Sequence, residues 1–209
     1  VSFNIDEFSA QGIIRGGQRP SLFKVRFSAL PPGVPNASGD LEYMCRSAQI
    51  PSSTIEPIEV PYFGRKIKVA GDRVFQDWTI TLINDEDFRH RNMFEAWHNK
   101  INALISNRQD SDSEDLLDYK VQAEVLQFGK AGPGDDSGVV RAYTFQGLWP
   151  SDVSSINLDW DAGNVIGTFD VTLSYDYWVP SIFHPSVAPY SGTLPPDPTD
   201  GTGVAFPIA

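Results

Sequence analysis

Few residues in this chain combine a reactive type with a spacing that chemistry could use. There are three histidines, His90, His98 and His184. His90 and His98 stand eight apart on a helical pattern, more than two turns, whereas metal-binding pairs are spaced by three or four. They read as exposed helix histidines. Cys45, the one cysteine, lies in a strand-like segment with no activating histidine and reads as core. Asp110, Asp112, Glu114 and Asp115 resemble part of a calcium loop, but the sixth position holds Asp115 in place of Gly and the twelfth holds Val121 in place of Glu. A solvated acidic loop is the reading. Gly129 to Gly134 lacks the Lys-Ser/Thr of a phosphate loop and reads as a turn. Asn36-Ala37-Ser38 has the letters of a glycosylation site, but Val1–Ala10 shows neither the basic region nor the apolar stretch of a secretory leader. No nucleophile–base pair is visible. The expectation is a protein that is not an enzyme, with no catalytic residues, no metal and no cofactor.

Charge narrows the partners. Lys and Arg number 16 against 27 Asp and Glu, a net charge of −11. Such a chain does not hold nucleic acid by neutralising phosphates, nor does it adhere by itself to an anionic membrane. No run of 18 apolar residues exists to span a bilayer as a helix. A single cysteine leaves no intramolecular disulfide, which fits synthesis in a reducing compartment.

The elements that would position any site are mostly strands. Residues 21–29 alternate Leu22, Lys24 and Arg26 against Phe23, Val25 and Phe27, the period of a half-buried strand. Residues 41–49 read as a second strand ended by Pro51. Residues 51–61 hold three prolines and read as a long ordered loop, since proline cannot donate to a ladder. Residues 62–69 and 73–83 read as strands joined by an Ala70-Gly71-Asp72 turn. Asn84 or Asp85 could cap a helix running from Glu86 to about Ile105, whose Phe94, Trp97, Ile101 and Leu104 recur at threes and fours. Further strands follow at 119–128, 139–149 and 165–178. The last sets Phe169, Val171, Leu173, Tyr175 and Tyr177 against Thr168, Asp170, Thr172, Ser174 and Asp176. Three regions result: an arm over 1–20, a β domain over 21–178 and a Pro-rich extension over 179–209. About seven strands and one helix make a mainly β protein of two antiparallel sheets, a sandwich or barrel with a helix on one end or edge.

Several segments, in order, resemble a known family. These are Gly16-Gly17 with Arg19-Pro20 and Leu22-Phe23, then Tyr62-Phe63-Gly64-Arg65, Gly71-Asp72-Arg73 and Trp78-Thr79-Ile80-Thr81. Ile83-Asn84-Asp85 leads to Phe94-Glu95-Ala96-Trp97 and Ile101-Asn102; Leu148-Trp149-Pro150, Leu158-Asp159-Trp160 and Tyr175-Asp176-Tyr177-Trp178 close the series. This order resembles the tail tube protein family of T-even-type contractile-tailed bacteriophages, over about 16–178. The resemblance implies a fold shared with type VI secretion tubes, in which six subunits form a ring, four strands of each close a common inner β-barrel, and rings stack into a tube inside a contractile sheath. It implies as partners the chain itself, the tail sheath protein, a tape measure protein, and baseplate and terminator proteins, with double-stranded DNA in transit. The place implied is the virion tail, assembled in the host bacterial cytoplasm. A baseplate tube-initiator or a secretion-type tube protein is the alternative within this class, and a carbohydrate-binding β-sandwich the alternative outside it.

Three residue sets carry the expectations. Ser53, Thr54, Ile55, Glu56, Ile58 and Val60 are expected to reach a neighbouring ring, because exposed apolar loop residues imply a partner. Phe94, Trp97, Ile101 and Leu104 are expected to pack the helix on a sheet. A polar lumen with more acid than base would let DNA slide; Glu42, Arg46, Lys66, Lys68, Gln122, Glu124 and Arg141 are candidates for its wall.

Overall fold

The structure is a computed structural model that describes residues 17–109, 118–130 and 138–182. The acidic segment Asp110–Asp115, His184, most of the Gly129–Gly134 turn, most of the N-terminal arm and nearly all of the extension lie outside the described residues. In chain order the elements are β1 (Phe23–Phe27), α1 (Ser38–Met44), β2 (Cys45–Ala48), β3 (Ser53–Tyr62), β4 (Arg65–Phe75), β5 (Trp78–Ile83), α2 (Arg89–Ile101), β6 (Val121–Phe128), β7 (Val139–Val153), β8 (Thr168–Ser174) and β9 (Tyr177–Ile182).

All pairings are antiparallel, and β7 belongs to two ladders at once. Its first part pairs with β6 and β9, and its last residues pair with β8. One ladder therefore runs β1-β6-β7-β9 and the other β7-β8-β5-β2. The corner is Gly147, at φ +67, a left-handed conformation that glycine adopts without a Cβ penalty. A Cβ there would overlap the Asp176 carboxylate, which Lys120 holds at 2.8 and 2.9 Å. Tyr175 and Asp176 lie between β8 and β9, so the predicted single strand 165–178 is split in two.

Core residues come from both ladders and from α2: Val25, Phe27, Trp78, Ile80, Leu82, Met93, Phe94, Trp97, Phe145, Phe169, Val171 and Leu173 are all buried. Trp78 and Phe145 stack across the two ladders at 4.2 Å, and Phe27 meets Phe94 and Trp97 edge-on. Neither ladder closes on itself. Among the described residues β1, β2, β9 and the end of β7 each pair on one side only, so these residues form an open sandwich and not a closed barrel.

Further local readings change. Residues 38–44 are a second helix: the Asn36 carboxamide accepts the Ser38 N–H and hydroxyl, and this turn starts α1 where apolar letters had suggested a strand. α2 is shorter than the periodicity predicts. Phe88 precedes it in a left-handed conformation, Asp85 accepts the Arg89 N–H at 3.0 Å, and Asn102 turns extended at the far end. Leu104 is therefore 92% exposed and does not join Phe94, Trp97 and Ile101. His90 is wholly buried, not exposed. Residues 51–61, read as a loop that proline keeps off any ladder, contain β3, paired along its length with β4.

Candidate functional site: an uncovered hairpin and its neighbouring surfaces

β3 and β4 form a separate two-stranded sheet that stands off the sandwich. A two-stranded ladder uses every second N–H of each strand, and Pro57 and Pro61 are four residues apart, so both nitrogens face the same way and can both lie on the unpaired edge. The turn is Phe63-Gly64, both at positive φ (42° and 78°), as a tight two-residue hairpin requires. Ala70-Gly71-Asp72 is not a turn. It lies inside β4, where the register with Ile55 and Pro57 slips by one residue in a bulge.

Register sorts the hairpin into two faces. Ile58 opposes Val69, Val60 opposes Ile67, and Tyr62 opposes Arg65; Glu59 opposes Lys68, and Pro61 opposes Lys66. One face is thus aliphatic with Tyr62 and Arg65 at its tip, and the other is charged, with Lys66 on Glu59 at 2.5 Å. Every residue of β3 is exposed, and the aliphatic face stands 46% (Val60) to 62% (Tyr62) open. Phe63, at the tip, is 91% exposed in a conformation that costs a non-glycine residue on the order of 1 kcal/mol. An isolated two-stranded hairpin is marginal in water, and its free edges invite pairing. This surface is unfinished in one chain. Of the expected contact residues, Ser53, Thr54, Ile55, Glu56, Ile58 and Val60 all lie on β3, but Ile55 sits at the opposite parity from Ile58 and Val60.

A second surface is polar. On the outward side of β5 and β8, Thr81 donates to Asp170 at 2.6 Å, Ser174 donates to Asp77 at 2.7 Å, and Thr79 meets Thr172 at 3.4 Å. Neither strand contains a Lys or Arg. The seven residues named as wall candidates do not share this face or any other. Glu42 lies on α1, bonded to Arg26 at 2.7 Å and Lys24 at 3.4 Å. Burial works to raise its carboxyl, but the Arg26 and Lys24 hydrogen bonds and charges outweigh that and hold it below the ordinary range. Gln122 and Glu124 alternate on β6 with the core residues Ala123 and Val125. Arg46 is exposed on β2, Lys66 and Lys68 belong to the hairpin, and the Arg141 guanidinium lies over the Tyr143 ring. The hydroxyl–carboxylate surface was half legible: alternation over 168–176 showed one strand of it, but its partner strand β5 could be joined to it only by register.

A third surface is the connection between β7 and β8, residues 154–167, where Leu158, Trp160, Val165 and Ile166 are exposed. Elsewhere the chemistry is quiet. Among the described residues no three His, Cys, Asp or Glu side chains gather to hold a metal. Burial pushes the Cys45 thiol up to about 12, so it is no nucleophile. Burial also pushes His90 below its ordinary value; the Arg89 charge adds to this, while Asp85, Asp40 and the Ala37 backbone pull the other way.

The described residues thus form an open sandwich with an uncovered amphipathic hairpin, and among them no reactive group is assembled. Residues 18–181 match the model of the phage tail tube protein family. The chain is 38% identical over 160 residues to the tail tube protein gp19 of Enterobacteria phage T4, which covers 77% of this chain and 90% of that one. Its fold is similar to a chain of the sheath–tube complex of an extracellular contractile injection system in the extended state (TM-score 0.50, 16% identity, 87% of this chain and 100% of that one). It is also similar to a chain of the sheath/tube terminator of that system (TM-score 0.55, 14% identity, 79% and 96%). The chain belongs to the phage tail tube protein family, which is structural and not enzymatic. Tail tube proteins are parts of the virion tail, and the family sets aside the carbohydrate-binding reading.

Proposed function

We propose that this chain is the repeating subunit of the inner tube of a contractile tail. Six copies close a ring, each lending four strands to a common inner barrel, and rings stack into the conduit for DNA ejection. The observation that carries this reading is the amphipathic hairpin left bare by the described residues of its own chain. The free edges of β1, β2, β9 and β7 supply the means of ring closure, because pairing between subunits removes edges as a closed barrel does. In this reading β3 and the tip reach the adjoining ring, the sheath covers the outside, and tape measure, baseplate and terminator proteins meet the tube ends. Assembly takes place in the host bacterial cytoplasm.

The Thr-, Ser- and Asp-bearing face of β5 and β8 suits the lumen wall. DNA is densely negative, and a wall without cations offers no phosphate-binding site at which it would stall. Screening limits wall charges to about 8 Å at physiological salt, so only residues on the wall itself act on DNA. Electron microscopy of the purified chain tests the assembly: hollow tubes of six-fold rings, insensitive to chelators, are expected, and a chain that stays monomeric at high concentration in every buffer refutes it. Asp170→Lys with Thr172→Lys in assembled phage is expected to preserve tubes and slow ejection, most at low salt. Normal ejection from such tails would remove the wall assignment.

A further inference from the structure

The hairpin's aliphatic face needs a cover, and the chain itself carries a surface of matching chemistry. We infer that residues 154–167 of a neighbouring copy receive the Ile58, Val60, Ile67 and Val69 face of the hairpin. This inference rests on the tube reading and goes beyond it by naming the receptor.

Three observations carry it. First, both surfaces are apolar and bare within one chain: Leu158 is 90% exposed and Trp160 wholly so, while the hairpin face is open along its length. Contiguous exposed apolar surface of this kind marks a protein–protein contact, and Trp is enriched at the centres of such contacts.

Second, the charges match. The chain carries −11 overall, so copies repel on average, and contacts between them must fall where cations are concentrated. The hairpin holds Arg65, Lys66, Lys68 and Arg73 against Glu56, Glu59 and Asp72, so it is net positive by one within a chain of −11, with Arg65 the charge at its tip. The connection holds Asp159 and Asp161 and no cation. Third, these charges are unspent. Arg65, Lys68 and Arg73 have no ion-pair partner among the described residues. Among the described residues the Asp159 carboxylate accepts only the Asp161 N–H, at 3.0 Å, and the Asp161 carboxylate has no partner.

Arg65 shares the aliphatic face, so one approach satisfies both needs. Trp160 and Leu158 cover the aliphatic residues while Asp161 and Asp159 meet Arg65 at the tip. Complementary charges of this kind set register and exclude wrong partners more than they add affinity, as a repeating ring contact requires.

Two measurements test the pairing. In a Cys45→Ser background, chains with Val60→Cys and chains with Trp160→Cys are prepared separately, mixed, assembled and mildly oxidised. A covalent dimer containing one chain of each kind is expected, with either variant alone giving none. In the second measurement, Asp161→Arg is expected to lower the sedimenting tube fraction about tenfold, and added Arg65→Asp to restore it to within about twofold. Tubes with no mixed dimer, or with Val60-to-Val60 dimers, overturn the inference, as does a charge reversal without effect or without rescue. The unaltered chain is assembled in parallel. Its failure to form tubes would overturn the proposed function itself, whereas tubes that do not cross-link overturn this pairing alone.

Discussion

The sandwich and the hairpin are built from the same kinds of residue and meet opposite fates. Val25, Ile80, Val171 and Leu173 are fully buried between ladders, while Ile58, Val60, Ile67 and Val69 stand in solvent at the same β alternation. The difference is what lies opposite. Sandwich strands face a second ladder and α2, so one chain removes their apolar surface from water, at roughly 25 cal/mol per Å². Among the described residues nothing lies across from the hairpin's aliphatic face. Folding of the chain is thus largely the business of the first region, and assembly that of the second.

Trp97→Ala should have the largest effect on the isolated chain. The indole is fully buried, stacks on Phe94, and donates to the Tyr119 carbonyl at 2.8 Å. Its loss is expected to cost about 3–5 kcal/mol in denaturant unfolding; a cost below about 1 kcal/mol would mean that α2 does not anchor the core.

Gly147→Ala should come next, at about 1–3 kcal/mol, because the corner needs a left-handed residue and the Asp176 carboxylate occupies the space of a methyl group. Unchanged stability would show that β7 does not depend on that corner to serve both ladders.

Acid should act more weakly, through His90. The fold holds its neutral form, so the folded pKa lies below the ordinary 6.5. An unfolded chain then binds more protons than the folded one, and the associated stability, complete above 6.5, is lost as pH falls below it. The melting temperature should drop as pH falls through the ordinary histidine value and below it, and His90→Gln should flatten that slope. An equal slope in both proteins would assign the acid sensitivity elsewhere.

The smallest effect on the single chain should come from Ile55→Asp with Ile58→Asp, within about 0.5 kcal/mol because both side chains are exposed. The same pair should abolish tubes by electron microscopy. Tubes of normal length would erase the contrast between the two regions.

Alternation and helical spacing were enough to read β1, β5, β6, most of β7, β8 and the Phe94–Trp97–Ile101 stripe from the residues alone, since each element's face is buried by its own period. The family was legible in the same way, from short aromatic and glycine-bearing segments in order. What depended on neighbours was not legible. α1 forms because Asn36 closes a turn ahead of it, and Leu104 leaves the helix stripe because Asn102 turns the chain outward. His90 is buried within reach of Asp85, Asp40 and the Ala37 backbone, which helical spacing alone does not reveal. The prolines of 51–61 suggested a loop, yet their even spacing suits one edge of a two-stranded ladder, which only the pairing with β4 reveals. By itself the sequence determined which residues seek burial and at what period. Tertiary structure alone decided which of them find a partner within the chain and which are left for another copy, because burial depends on what stands opposite a face.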